Sequence, residues 1–261
     1  MSDTEDPEEK TDVDASTAPL LDHLVELRNR LVWSVAAFAI AFGGCLYFAT
    51  EIFEFLVRPL SAAFAEGEGR LVFTQLYEAF FVEIKVAVFG AFVIAFPIIA
   101  NQIWLFVAPG LYKNERRAFL PFLLATPLLF TLGAALAYYV VMPTAFRFFL
   151  GYQGEIGGLE QEALPAVGNY LSLVMRFILA FGIAFLLPVL LLLLNRAGIV
   201  DRKQLAGARR YVIVGVFIVA AIFTPPDPIT QLMLAIPLCL LFEITLLIIR
   251  FTERRRKEAD A

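Results

Sequence analysis

The chain carries little charge and few of the side chains that enzymes use. Of its 261 residues only 18% are Asp, Glu, Lys or Arg, with two cysteines and a single histidine. Cys45 and Cys239 both sit inside apolar runs, and no CxxC or Cys/His spacing occurs. Neither a disulfide framework nor a zinc site is indicated, and both thiols read as small core hydrophobes. There is no GxxxxGK[ST] loop to hold nucleotide phosphates. His23 has no Ser or Cys nucleophile beside it, and no aspartate lies inside an apolar run to form an intramembrane acid pair. These absences point away from an enzyme and from any bound metal or cofactor. A nucleic-acid role has only the cluster Arg254, Arg255, Arg256 and Lys257 behind it, which membrane topology and anionic lipid explain better.

What the chain has in quantity is apolar length. It is 60% hydrophobic, with mean hydropathy +0.76, and apolar runs of about 20 residues, enough to cross a hydrocarbon core, recur along it. With 26 phenylalanines and no series of short alternating segments, the pattern predicts an all-α polytopic membrane protein rather than a barrel. The expected spans are 31–48, 80–107, 118–146, 169–194, 211–223 and 229–249. The first reads as a retained span because no small-residue cleavage signal follows it. Span 3 holds Pro121, Pro127 and Pro143 and is longer than a bilayer needs, so a tilt or kink is expected. Span 5 reaches only about 20 Å as a helix, short of a roughly 30 Å core.

Charge then sets the orientation. Of the 21 Lys and Arg residues, all but Arg58, Arg70, Lys85, Arg147 and Arg176 fall on one side of these spans. Both termini and the even-numbered connections are therefore expected in the cytoplasm. Residues 1–18 hold seven acids against Lys10, which accounts for the net charge of −4, and are expected to be a disordered acidic tail. The six-span domain covers 19–251 and a basic tail 252–261. Within 19–30, Leu20, Leu24, Leu27 and Leu31 form an apolar stripe, predicting a short helix along the membrane surface. Residues 50–77, with a break at Pro59, are expected to form a partly helical cap on the far side. Residues 151–168 are expected to be a Gly- and Glu-rich loop there.

Few polar residues remain as candidates. Glu26 and Glu115 are both expected at the cytoplasmic mouth of a span, among arginines. Two interfacial carboxylates suit a guanidinium ligand, which binds carboxylate through two parallel hydrogen bonds. The alternative is that each pairs with its own neighbour, Arg30 or Arg116, as weak exposed ion pairs do. Arg176, inside span 4, is expected to snorkel to the nearby surface. Asp227 and Gln231 flank the Pro225-Pro226 turn, as a functional pair or as a cap on the last span.

Three separated stretches now fall into register with one family. His23-Leu-Val-Glu-Leu-Arg-Asn-Arg-Leu31, Gln102-Ile-Trp-Leu-Phe-Val-Ala-Pro-Gly-Leu-Tyr-Lys-Asn-Glu-Arg-Arg117 and Thr224-Pro-Pro-Asp227 resemble TatC, the multispanning core of the twin-arginine protein translocase. The likeness runs from about Leu20 to Phe251. It implies a cup-shaped helical body with short spans 5 and 6, in the cytoplasmic (inner) membrane. It also implies a receptor for the Arg-Arg pair in signal peptides of folded cargo, with export driven by the proton gradient. By motif match, Glu26 and Glu115 would receive the guanidiniums, with Arg28, Phe106, Leu111 and Tyr112 on the same surface. Pro59, Asp227 and Gln231 match positions used in assembly or transport. Implied partners are single-span subunits of the TatA and TatB type, membrane lipid and further copies in a complex. One departure stands out: the family often has Glu or Gln just before the span 4 proline, and this chain reads Phe185-Leu186-Leu187-Pro188.

Two other readings remain. A proton-coupled solute transporter calls for ionisable residues near the midplane and for repeat symmetry, neither of which is evident. An assembly scaffold for other membrane proteins survives only if no peptide binds.

Overall fold

The computed structural model describes residues 7–64, 69–111 and 120–259, with side chains between His23 and Arg254 except at 107–111, 120, 156 and 160. The chain is mostly helical. Helix α1 (Pro7–Tyr47) runs unbroken into the first expected span and begins within the segment expected to be a tail. The separate surface helix expected over 19–30 is therefore not a distinct element. From Leu20 to Phe42 there is neither glycine nor proline, so nothing breaks the helix where it enters the apolar run. Leu24, Leu27 and Leu31 of its apolar stripe are all exposed. In a membrane a leucine facing lipid loses little, and small residues instead decide which faces meet. Cys45, Ala87 and Ala91 form a buried cluster between α1 and α3 (Glu78–Leu111). A Cβ at Gly90 would lie 3.2 Å from Cys45 Sγ and 3.1 Å from Ile52 Cδ1, so the close approach depends on that glycine. The cysteine is thus a small core side chain, as its apolar surroundings predict.

Span 3 accommodates its excess length locally. Helix α4 (Leu120–Leu136) passes through a π-turn at Ala137–Val141 into α5 (Met142–Leu150). The Met142 N–H donates to Ala137 O, five residues back, one residue before Pro143, which has no N–H to give. Span 4 breaks outright, into α6 (Val167–Ala184) and α7 (Leu187–Arg196). Pro188 stands at the start of α7, where its missing N–H is tolerated. Across the break, Leu186 N–H reaches only three residues back, to Ile183 O at 3.0 Å. α4 and α6 cross closely: a side chain on Gly133 would collide with Phe181 O, and one on Gly182 would reach the Phe130 ring at 2.6 Å.

A short helix α8 (Arg202–Gly207) opens with a capping box between Asp201 and Gln204. It leads into α9 (Arg209–Phe223) and α10 (Pro228–Ala259). Arg209 pairs with Glu243 of α10 at 2.8 Å. Among the described residues five helical stretches are long and apolar enough to cross a membrane: His23–Tyr47, Glu78–Phe106, Pro121–Leu150, Val167–Arg196 and Pro228–Arg254. The fifth expected span, 211–223, falls on α9, which has 15 residues and reaches only about 22 Å.

The end of the bundle away from the arginine-rich segments is more ordered than the sequence predicts. The Gly- and Glu-rich loop contains a hairpin, β1 (Gly154–Ile156) antiparallel to β2 (Leu159–Gln161). Gly157 and Gly158 have φ of 63° and 83°, the paired left-handed conformation of a two-residue hairpin turn. Residues 70–78 are strapped to the start of α6. Val167 N–H donates to Val72 O at 3.0 Å. The Glu78 carboxylate accepts from Gly168 N–H at 2.7 Å, Thr74 N–H at 2.6 Å and Thr74 Oγ1 at 3.0 Å. A carboxylate is well placed against the unpaired N–H groups that begin a helix. Gly168 leaves it room, since a Cβ there would lie 2.8 Å from Glu78 Oε1.

Candidate functional site

Three side chains of α1, His23, Glu26 and Arg30, share one face at i, i+3 and i+7. That face meets Gln102 and Phe106, one turn apart on α3. The His23 ring stacks on Phe106 with centroids 4.3 Å apart and planes at 17°. One turn along, Arg30 bonds Gln102 Oε1 at 3.3 Å through one guanidinium nitrogen and Glu26 Oε1 at 3.2 Å through the other. Arg30 and Glu26 keep 32% and 33% of their side-chain surface exposed. The result is a half-open polar patch beside an aromatic stack, midway along α1 and near the last turns of α3.

Of the residues the sequence nominates, Glu26 and Phe106 belong to this patch. Glu26 is paired with Arg30, the neighbour named as its alternative partner. Arg28 is not brought to it: two residues from both Glu26 and Arg30, it projects elsewhere, is exposed, and touches only Asn29 Oδ1 at 3.5 Å among the described residues. Leu111 is the last residue of α3, and its side chain, with all of Tyr112 and Glu115, lies outside the described residues. Gln102 and His23 were not nominated. Gln102 sits one helical turn before Phe106 in the same motif, and that spacing is the signal that could have found it.

The three positions matched to assembly or transport have local structural roles at the opposite end. Pro59 is buried within α2 (Ala49–Ser61). Its lack of an N–H leaves Phe55 O without the usual donor four residues on. Tyr138, in the π-turn, supplies one: its hydroxyl donates to Phe55 O at 2.6 Å and its ring stacks on Phe55 with centroids 4.3 Å apart. Tyr170 of α6 donates to the next carbonyl, Leu56 O, at 2.7 Å. Asp227 is buried and caps α10, accepting from Thr230 N–H at 2.8 Å and from the Thr230 hydroxyl. Gln231 Nε2 donates across the hairpin to Phe217 O of α9 at 3.2 Å. Where the family often has an acid or amide, Leu186 packs against the apolar cluster of Phe96, Ala100 and Phe130. Arg176 is exposed and makes no ion pair among the described residues.

Comparison with known proteins agrees along most of the chain. The family model described as Sec-independent protein translocase protein (TatC) matches residues 22–237. The Sec-independent protein translocase protein TatC of Magnetococcus marinus is 51% identical over 244 residues, covering 94% of this chain and 88% of that one. The protein of the same name from Aquifex aeolicus is 43% identical over 242 residues, covering 92% and 98%. A crystal structure described as the twin-arginine translocase receptor TatC, in the detergent DDM, superposes with a TM-score of 0.75 at 43% identity, covering 87% of this chain and 98% of that one.

Proposed function

The chain belongs to the TatC family of Sec-independent protein translocase proteins, and from that premise we propose that it is the membrane receptor for twin-arginine signal peptides. As a translocase component with five span-type helices it is a multi-pass membrane protein. In the proposed arrangement α9 is a sixth, short crossing of the inner membrane, both termini are cytoplasmic and the helices form a cup. The acidic segment 1–18 and the basic segment 252–261 flank that body. The distribution of Lys and Arg supports this orientation.

The observation that carries the proposal is the geometry at Glu26: a one-third exposed carboxylate, on the same face of α1 as the His23 ring that stacks on Phe106, that already accepts a guanidinium. An arginine pair brings two planar forks, one for Glu26 and one for Glu115, while Phe106, Leu111 and Tyr112 meet the apolar part of the peptide. Arg28, which projects away from the patch, takes no part in that surface. Lysine cannot make the same fork. The chain performs no covalent chemistry, acts with TatA- and TatB-type subunits and further copies of itself, and uses the proton gradient to move folded cargo. Pro59, Asp227 and Gln231 keep the opposite half of the bundle fit for that assembly.

Site-specific photo-crosslinking from position 106 tests the proposal. A twin-arginine peptide should crosslink there and be displaced by unlabelled Arg-Arg peptide but poorly by its Lys-Lys counterpart. Equal displacement by both peptides, or no crosslink, contradicts it.

A further inference from the structure

We infer that Arg30 is a built-in occupant of the guanidinium subsite, holding Glu26 in the empty receptor and yielding it to the incoming arginine. The inference rests on the receptor reading above and deepens it by naming the group that competes with the ligand. Arg30 presents to Glu26 the same chemistry that the signal peptide would bring, a guanidinium N–H donating to Oε1 at 3.2 Å. The contact uses only one carboxylate oxygen, and among the described residues Glu26 has no other partner. The two-bond fork, the stronger form of this interaction, is therefore left for an incoming guanidinium.

Arg30 also has somewhere to go. Its second nitrogen is held by Gln102 Oε1 on α3 at 3.3 Å, so releasing Glu26 does not strand it. Both members of the pair are about one-third exposed, and i, i+4 pairs at such exposure are weak. A strong buried pair could not be exchanged on binding, whereas this one can. Until then Arg30 neutralises Glu26 and disfavours capture of an isolated cation, a charge arrangement that favours the arginine pair over single basic residues.

The test is the affinity of a fluorescent twin-arginine peptide for the full-length protein in nanodiscs. Removing the competitor in Arg30→Gln should tighten binding about two- to fivefold, the range of a weak exposed pair. Arg30→Lys, which keeps the charge but loses the planar group, should fall between. In Glu26→Gln the same Arg30→Gln change should bring no gain. Lys203→Gln on α8 removes the same charge away from the patch, and an equal gain there would reduce the effect to a general field and overturn the inference. Unchanged or weakened binding in Arg30→Gln, with a monodisperse protein of unaltered helicity, means that Arg30 is a fastener between α1 and α3 and also overturns it. Those outcomes leave the receptor reading standing if wild type binds and Glu26→Gln weakens binding. Failure of wild type to bind overturns both.

Discussion

Replacing Tyr138 by Phe removes one oxygen and should expose what Pro59 does. In wild type the Phe55 carbonyl has no N–H four residues on, because residue 59 is proline, and the Tyr138 hydroxyl at 2.6 Å takes that place. Tyr138 is buried but Phe55 is exposed, so the contact is part-buried and the loss is that of one hydrogen bond. That costs about 0.5–1.5 kcal/mol, which for a protein of this size lowers Tm by roughly 1–6 °C. The ring stack on Phe55 survives the change, so the loss belongs to the hydroxyl. In a Pro59→Ala background the alanine N–H can bond Phe55 O itself, and Tyr138→Phe should then cost well under half as much. Thermal unfolding of the four proteins in detergent, followed by intrinsic fluorescence, gives the coupling directly. Equal losses in the proline and alanine backgrounds would refute the linkage between Pro59 and Tyr138.

Three further outcomes follow from packing and caps. Gly133→Ala should destabilise by about 1–3 kcal/mol, because the new methyl meets the Phe181 backbone, whereas Gly43→Ala, facing open space, should be neutral or slightly stabilising by thermal shift. Asp227→Ala should cost about 1 kcal/mol as a lost cap; Asp227→Asn should keep most of that stability, and export lost in a stable Asn variant would show that the charge acts beyond capping. Gly168→Ala should push the Glu78 carboxylate off the start of α6, read as faster amide exchange at Val167 and proteolysis near residue 70.

How far the fold could be read in advance depended on the distance over which each feature is decided. The long apolar runs were legible because crossing a bilayer needs about 20 residues in a row, and the irregularity of span 3 was legible from its length and prolines, whereas the break of span 4 before Pro188 was not read in advance. The Asp227 cap was legible as one of two readings, because Pro228 follows it at the first helical position. The orientation of α1 was not. The leucine stripe reads as lying against the membrane and says nothing of the face that meets α3, which glycine and alanine on α3 determine. Arg30 and Gln102 are separated by 72 residues, and Glu78 and Gly168 by 90. No local pattern announces such pairs. At the candidate patch, Glu26 and Phe106 were found through their motifs, while the bond from Arg30 to Gln102 emerged only once α1 and α3 were packed together.

The most direct test is a titration of a labelled twin-arginine signal peptide against the wild-type protein and the Glu26→Gln, Glu115→Gln and double variants in nanodiscs. If paired carboxylates receive paired guanidiniums, each single change should weaken binding about tenfold, the scale of a charge-assisted hydrogen bond, and the double change should abolish discrimination between Arg-Arg and Lys-Lys peptides. Unaltered affinity and undiminished arginine preference in the double variant would contradict the account.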